Sequence, residues 1–172
     1  MDTNIDLSDL DAAERRRLLE ELLEQDDSLG REFEASYAQE RLWLLDKLSP
    51  GDPLYNICCA VRWQGPVDVG LVQESIDYLI ARHESLRTVF VERDGKPQQR
   101  IEDPWSIDVP VIRCASQHDL KRRIDAFVRL PFDMQRGPLL RVLFLEKNYH
   151  DHVVLFSMHH AVSDGWSLSV LV

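Results

Sequence analysis

The sequence predicts an α/β fold, a sandwich in which helices flank a mixed β-sheet. Three observations carry that expectation. Segments of helical period alternate with segments of strand period along the chain. Asp94-Gly95 sits between two strand-like runs, the strongest short hairpin signal. Hydrophobic content of 44% and charged content of 29% over 172 residues suit one soluble domain or one lobe of a larger one, with enough chain to bury a real core.

The elements follow in order. Residues 9 to 25 read as an amphipathic helix, with Asp11 and Glu14 at capping-box spacing and Leu18/Leu22 and Leu19/Leu23 as i, i+4 pairs. Asp26-Asp27-Ser28-Leu29-Gly30 reads as a stop and linker, so the chain divides into a segment 1–30 and a domain 31–172. A helix over 37–48 ends before Ser49-Pro50-Gly51-Asp52-Pro53, a run of turn formers. Ile57, Cys59, Val61 and Trp63 alternate with Cys58, Ala60, Arg62 and Gln64, which predicts a strand. A helix over 68–84 places Leu71, Val72, Ser75, Ile76, Leu79, Ile80 and His83 along one face. The hairpin strands cover 88–93 and 96–101. Ser116 with Asp119 starts another helix that carries Leu120, Ile124, Phe127 and Val128 inward and stops before Pro131. Strands over 139–147 and 153–158 complete the set.

Several function classes are disfavoured. A formal net charge of −10 opposes phosphate binding, which needs a basic surface. Arg15-Arg16-Arg17 and Lys121-Arg122-Arg123 lie in helical patterns with acids nearby and read as solvated faces. Three cysteines, Cys58, Cys59 and Cys114, are odd in number and lack CxxC spacing, so neither a disulfide framework nor a zinc or other metal site is expected; Cys58 and Cys59 are expected to be small buried apolar residues. No apolar run approaches the ~20 residues that span a bilayer. The start, Met1-Asp2-Thr3-Asn4-Ile5-Asp6, is acidic where a secretory signal is basic, so a cytoplasmic location without membrane attachment is expected.

The most informative stretch is His159-His160-Ala161-Val162-Ser163-Asp164-Gly165-Trp166-Ser167. It follows the apolar run Val153-Val154-Leu155-Phe156-Ser157-Met158. On a strand, Val153, Leu155, Ser157 and His159 share one side, and Val154, Phe156, Met158 and His160 the other. The two histidines therefore cannot do the same job. Asp164 follows a three-residue spacer, placed to orient an imidazole or to pair with an arginine. Gly165 would permit a positive φ or close backbone approach, and Asp164 or Ser167 would cap a helix starting at Trp166. A single histidine at a strand end is usually a hydrogen-bonded structural residue. Four matched letters at fixed spacing are rarer, expected by chance on the order of once in several thousand chains of this length.

The HHxxxDG segment resembles the third core motif of the condensation domains of nonribosomal peptide synthetases. Ser36-Tyr37-Ala38-Gln39-Glu40-Arg41-Leu42-Trp43-Leu44-Leu45 looks like that family's first motif, and Arg82-His83-Glu84-Ser85-Leu86-Arg87-Thr88-Val89-Phe90 like its second. Pro131-Phe132-Asp133 and Gly137-Pro138-Leu139-Leu140-Arg141 also match its pattern, in order, so the likeness runs from about residue 34 to the last residue. It implies a chloramphenicol acetyltransferase-like fold, two lobes in a V with the active site between them. This chain would be the first lobe; it stops seven residues after Gly165, and the second lobe would complete the tunnel in cis.

The implied reaction is amide formation between a donor acyl or peptidyl thioester and an acceptor aminoacyl thioester. Both are held on 4′-phosphopantetheine arms of upstream and downstream peptidyl carrier proteins, with no cofactor bound by the domain itself. His160 is the implied catalytic residue, as general base or as the group that positions the amine. His159, Asp164, Gly165 and Trp166 support it: His159 structurally, Asp164 by ordering the loop through an ion pair with Arg87 or an arginine of the second lobe, and amides near Gly165 and Trp166 as candidates for the oxyanion. Arg41, Arg82 and Arg87 read as architectural, and Trp43 and Trp63 as core or lobe-packing residues. The 9–25 helix either packs on the domain or docks an upstream synthetase protein. Alternatives within reach of the motif are an ester-forming acyltransferase, an epimerisation domain, or a noncatalytic docking or carrier-recognition module. The lobe alone is expected to fold, to be inactive, and to self-associate through exposed apolar surface.

Overall fold

The computed structural model describes residues 31–167; the helix expected over 9–25 lies outside them. Strand β1 (Arg31–Glu34) precedes helix α1 (Tyr37–Leu48), β2 (Asn56–Gln64), α2 (Val69–Arg82), β3 (Thr88–Arg93), β4 (Lys96–Ile101), β5 (Val111–Arg113), α3 (Gln117–Val128), β6 (Leu140–Asn148) and β7 (Asp151–His159). Every expected element within 31–167 is present, with ends displaced by no more than two residues. β1 and β5 were not expected. β1 is four exposed residues, Arg-Glu-Phe-Glu, and β5 is three residues long, so neither shows a period that sequence could reveal.

The local chemistry explains the helices. Ser36 caps α1 through a reciprocal box in which its hydroxyl accepts from the Gln39 amide and the Gln39 side chain accepts from the Ser36 amide. Asp68 caps α2 by accepting from the amides of Gly70 and Leu71, and Ser116 caps α3 by accepting from the Asp119 amide. α2 ends at Arg82, two residues short of expectation, and the chain tightens into a 3₁₀ turn over Glu84–Arg87. Asp94 and Gly95 both adopt positive φ, 49° and 79°, the backbone a two-residue hairpin of this twist demands.

There are two sheets among the described residues. The larger, in order β2-β7-β6-β5, is mixed, because β5 runs parallel to β6 while the other pairs are antiparallel. A parallel pair needs a crossover, and α3 supplies it. The smaller is the antiparallel sheet β1-β4-β3.

The alternation along β7 sorts its side chains as the sequence implied. Val154, Phe156 and Met158 pack with Ile76 and Ile80 of α2, and Val153 and Leu155 pack with Leu120 and Phe127 of α3. The large sheet is thus covered on both faces, which is why its central strands are nearly continuous apolar runs. A third cluster, with Trp43, Phe90, Phe132, Met134, Leu139 and Ala161, joins α1 and the small sheet to the turn that follows β7. β2 is an edge strand, so Cys58 and Cys59 are half-buried, not buried as expected, and Trp63 is half exposed and lies outside the core.

Candidate functional site

The central strand β7 ends at His159, and the turn that follows carries the HHxxxDG residues. His159 is buried. Its Nδ1 accepts from the Ala161 amide at 3.2 Å, and its ring meets Phe132 edge-on with centroids 6.2 Å apart. A ring nitrogen that accepts from an amide carries no proton, so His159 is held neutral. Burial first, and the neighbouring His160 second, pull its pKa down to about 4.

His160 is exposed. Its backbone N–H donates to the Tyr55 carbonyl at 2.9 Å, which fixes where the residue leaves the strand. Its ring Nδ1 lies 2.8 Å from the Ser163 carbonyl. A carbonyl only accepts, so Nδ1 is the donor in this contact, and in the tautomer it selects Nε2 is the lone-pair nitrogen. The same turn is closed by Val162 N–H and Ser163 Oγ–H, both donating to the His159 carbonyl at 3.1 Å. From α1, the Gln39 side chain donates to the Ala161 carbonyl at 3.0 Å and to the Gln99 side chain of β4 at 2.9 Å. One residue of the first motif therefore ties the His160 turn to the small sheet.

Asp164 takes the capping task, one of the two that its position allowed, and not the ion pair. Its carboxylate accepts from the Ser167 amide at 2.8 Å and from the Ser167 hydroxyl at 2.7 Å, while its own amide donates to Ser167 Oγ at 3.2 Å. This reciprocal box starts a helix at Gly165. The Ser167 hydroxyl, then the Ser167 amide, hold the carboxyl below the usual range, and the Trp166 amide acts on the same group. Arg87 is engaged elsewhere: it donates to the Glu102 carbonyl and lies 3.6 Å from Glu84, so the expected Asp164–Arg87 pair is not made. Helix capping satisfies the carboxylate more directly than a guanidinium from another element. Gly165 has no positive φ, and an added Cβ would meet no described atom within 4 Å, so neither expected reason for a glycine applies there.

Arg41 and Arg82 are exposed on α1 and α2. Arg82 reaches the Tyr78 hydroxyl at 3.4 Å. His83 and Ser85 of the second motif do reach the third: with Met158, Val162, Ser163 and Trp166 they line a pocket of about 190 Å³ beside the turn. Sequence reasoning missed Gln39 and the Tyr55 and Ser163 carbonyls. Gln39 was visible as part of the first motif, but main-chain acceptors leave no mark in residue types. Arg141, whose guanidinium sits 4.0 Å over the Phe132 ring and donates to the Leu130 carbonyl, braces the ring that His159 packs against.

The Lys121-Arg122-Arg123 cluster is partly neutralised by Asp119, 2.6 Å from Arg122 and 3.0 Å from Arg123. No helix among the described residues is long and apolar enough to cross a membrane.

A family model described as the condensation domain matches residues 30–172. A linear gramicidin synthase protein of Brevibacillus parabrevis is 42% identical over 146 residues, 80% of this chain and 2% of that protein. Phosphinothricin tripeptide synthetase PhsC of Streptomyces viridochromogenes is 40% identical over 148 residues, 79% of this chain and 13% of its own length. The chain thus spans a small part of the curated relatives it matches. Among solved structures, the starter condensation domain of rhizomide synthetase RzmA superposes with a TM-score of 0.75 at 23% identity, covering 82% of this chain and 36% of that one. The X-domain from teicoplanin biosynthesis gives a TM-score of 0.74 at 25% identity, over 80% and 30%.

Proposed function

This chain belongs to the condensation domain family of nonribosomal peptide synthetases, and we propose that residues 31–172 form the first lobe of an acyltransferase that makes an amide bond between two carrier-bound thioesters in the cytoplasm. The donor is an acyl or peptidyl thioester and the acceptor an aminoacyl thioester, each on the 4′-phosphopantetheine arm of a carrier protein. A second lobe packed in cis supplies the other wall of the channel.

The observation that carries this reading is the His160 ring, exposed at the end of the central strand with Nδ1 committed to the Ser163 carbonyl at 2.8 Å. The acceptor nitrogen attacks the donor carbonyl, the C–S bond breaks with the thiolate leaving on the donor carrier's arm, and the nitrogen loses a proton for which Nε2 is the available lone pair and the thiolate the final acceptor. Thioesters are already activated, so the remaining work is to bring two tethered groups together and to manage that proton. His159, buried and neutral, cannot share the task; it packs beneath the turn and anchors Ala161. Asp164, Gly165 and Trp166 shape the helix start that follows.

The test is His160→Ala in the complete synthetase, with loaded donor and acceptor carriers and intact-mass detection of the condensed product. The expected loss is about 10²- to 10⁴-fold, the usual range for a positioned proton acceptor, with carrier binding retained. The 172-residue chain alone is expected to yield no product. Full turnover by His160→Ala would refute the reading and leave only a carrier-recognition role.

A further inference from the structure

Helix α2 is apolar on two faces. Ile76 and Ile80 point into the core, while Leu71 and Tyr78, 60% and 63% exposed, flank Ser75 on a second face. That second face borders a groove of about 510 Å³ between α2 and the edge strand β2, lined by Val61, half-exposed Trp63, Val67, Leu71, Val72 and Ser75. A surface helix normally turns one apolar stripe inward; a second stripe beside an apolar groove marks a packing surface. We propose that residues 9–25 of this same chain pack along that second face of α2 and fill the groove.

Chain geometry selects this occupant. β1 begins at Arg31, whose guanidinium lies 2.9 Å from Glu84, immediately beyond the C-terminal end of α2. Residues 26–30 connect the two parts, and five residues reach at most about 17 Å. A helix of 17 residues is about 25 Å long and α2, with 14, about 21 Å. With their C-terminal ends together at Glu84, the two run parallel over the whole groove. The apolar side offered is Leu18, Leu19, Leu22 and Leu23.

Charges agree with that direction. Asp9, Asp11 and Glu14 open the segment, Arg15-Arg16-Arg17 lie at its middle, and Glu20, Glu21 and Glu24 lie toward its end. Along α2 the acids Glu74 and Asp77 precede Arg82. Among the described residues neither Glu74 nor Arg82 makes an ion pair; Arg82 reaches only the Tyr78 hydroxyl. A parallel arrangement with the C-terminal ends together sets the mid-segment arginines level with Glu74 and the later glutamates near Arg82. The tether makes the contact intramolecular, so modest affinity fills the groove without a second molecule.

Hydrogen exchange on the full 172-residue chain tests this. Amides of residues 14–25 are expected to exchange at least about tenfold more slowly than an unfolded peptide. The double variant Leu71→Asp/Tyr78→Asp is expected to abolish that protection while amides of β6 and β7 keep theirs, which shows that the domain still folds. Glu74→Arg, on the surface, is expected to weaken it. Unfolded-rate exchange of residues 14–25 in the unmodified chain overturns the proposal, as does protection indifferent to Leu71→Asp/Tyr78→Asp. Protection lost on about hundredfold dilution also overturns it, because the occupant would then be a second copy. None of these outcomes depends on His160 or on acyl transfer.

Discussion

Two neighbouring histidines do opposite things because a strand turns successive side chains to opposite sides. His159 is the last residue of β7 and remains in the packed interior, whereas His160 lies beyond the strand with its ring in the open. The first has a folded pKa of about 4 against about 6.5 unfolded. Above about pH 6.5 it is neutral in both states and adds no pH dependence. As pH falls through the window from 6.5 to 4 the unfolded chain takes up a proton that the folded chain refuses, so stability declines by at most roughly 3 kcal/mol. Urea midpoints at pH 7 and pH 5 are expected to show that decline in the unmodified protein and a smaller one in His159→Gln; equal declines would show that other groups set the acid sensitivity. The motif letters and the opposite environments of the two histidines were legible from spacing. The role of Asp164 was not, because a carboxylate three residues before a serine reads equally well as an ion-pair partner or as a cap, and only the positions of Ser167 and Arg87 separate the two.

At the scale of elements, helix α1 owes its start to Ser36 and Gln39 and its position to the same glutamine, which reaches both the Ala161 carbonyl and β4. Gln39→Glu keeps an acceptor for the Ser36 amide but removes the donor, leaving a carboxylate against a carbonyl. The expected cost is about 1–3 kcal/mol in denaturant unfolding, the usual penalty for an unpaired, partly buried polar group; Gln39→Lys, which restores a donor without the cap, is expected to recover little. An unchanged midpoint for Gln39→Glu would mean that the link to Ala161 is dispensable. Long elements were legible because a period sustained over two or more turns outweighs local noise, and the hairpin because Asp-Gly prefers positive φ. β1 and β5 were invisible: a three- or four-residue strand is held by its partner's backbone, which the strand's own side chains do not announce.

For the molecule as a whole, stability rests on a sheet buried from both sides. Ile80 is fully buried in the α2 cluster and Leu155 nearly so in the α3 cluster. Each truncation to Ala is expected to cost about 2–5 kcal/mol. Because the two side chains lie in separate clusters the costs should add, and the sum approaches the typical ~5–15 kcal/mol of a domain. Ile80→Ala/Leu155→Ala is therefore expected to lose its near-UV circular dichroism at 25 °C while each single variant retains it; a folded double variant would show that one face suffices. Periodicity and motif spacing were enough to establish the order and kind of the long elements and the family, because both are relations between neighbours along the chain, whereas the face read as inward on α2 included Leu71, Ser75 and His83, which are exposed. The division into two sheets and the Tyr55 carbonyl that holds His160 emerged only on folding, because they depend on backbone groups brought together from distant residues, and every residue carries the same backbone.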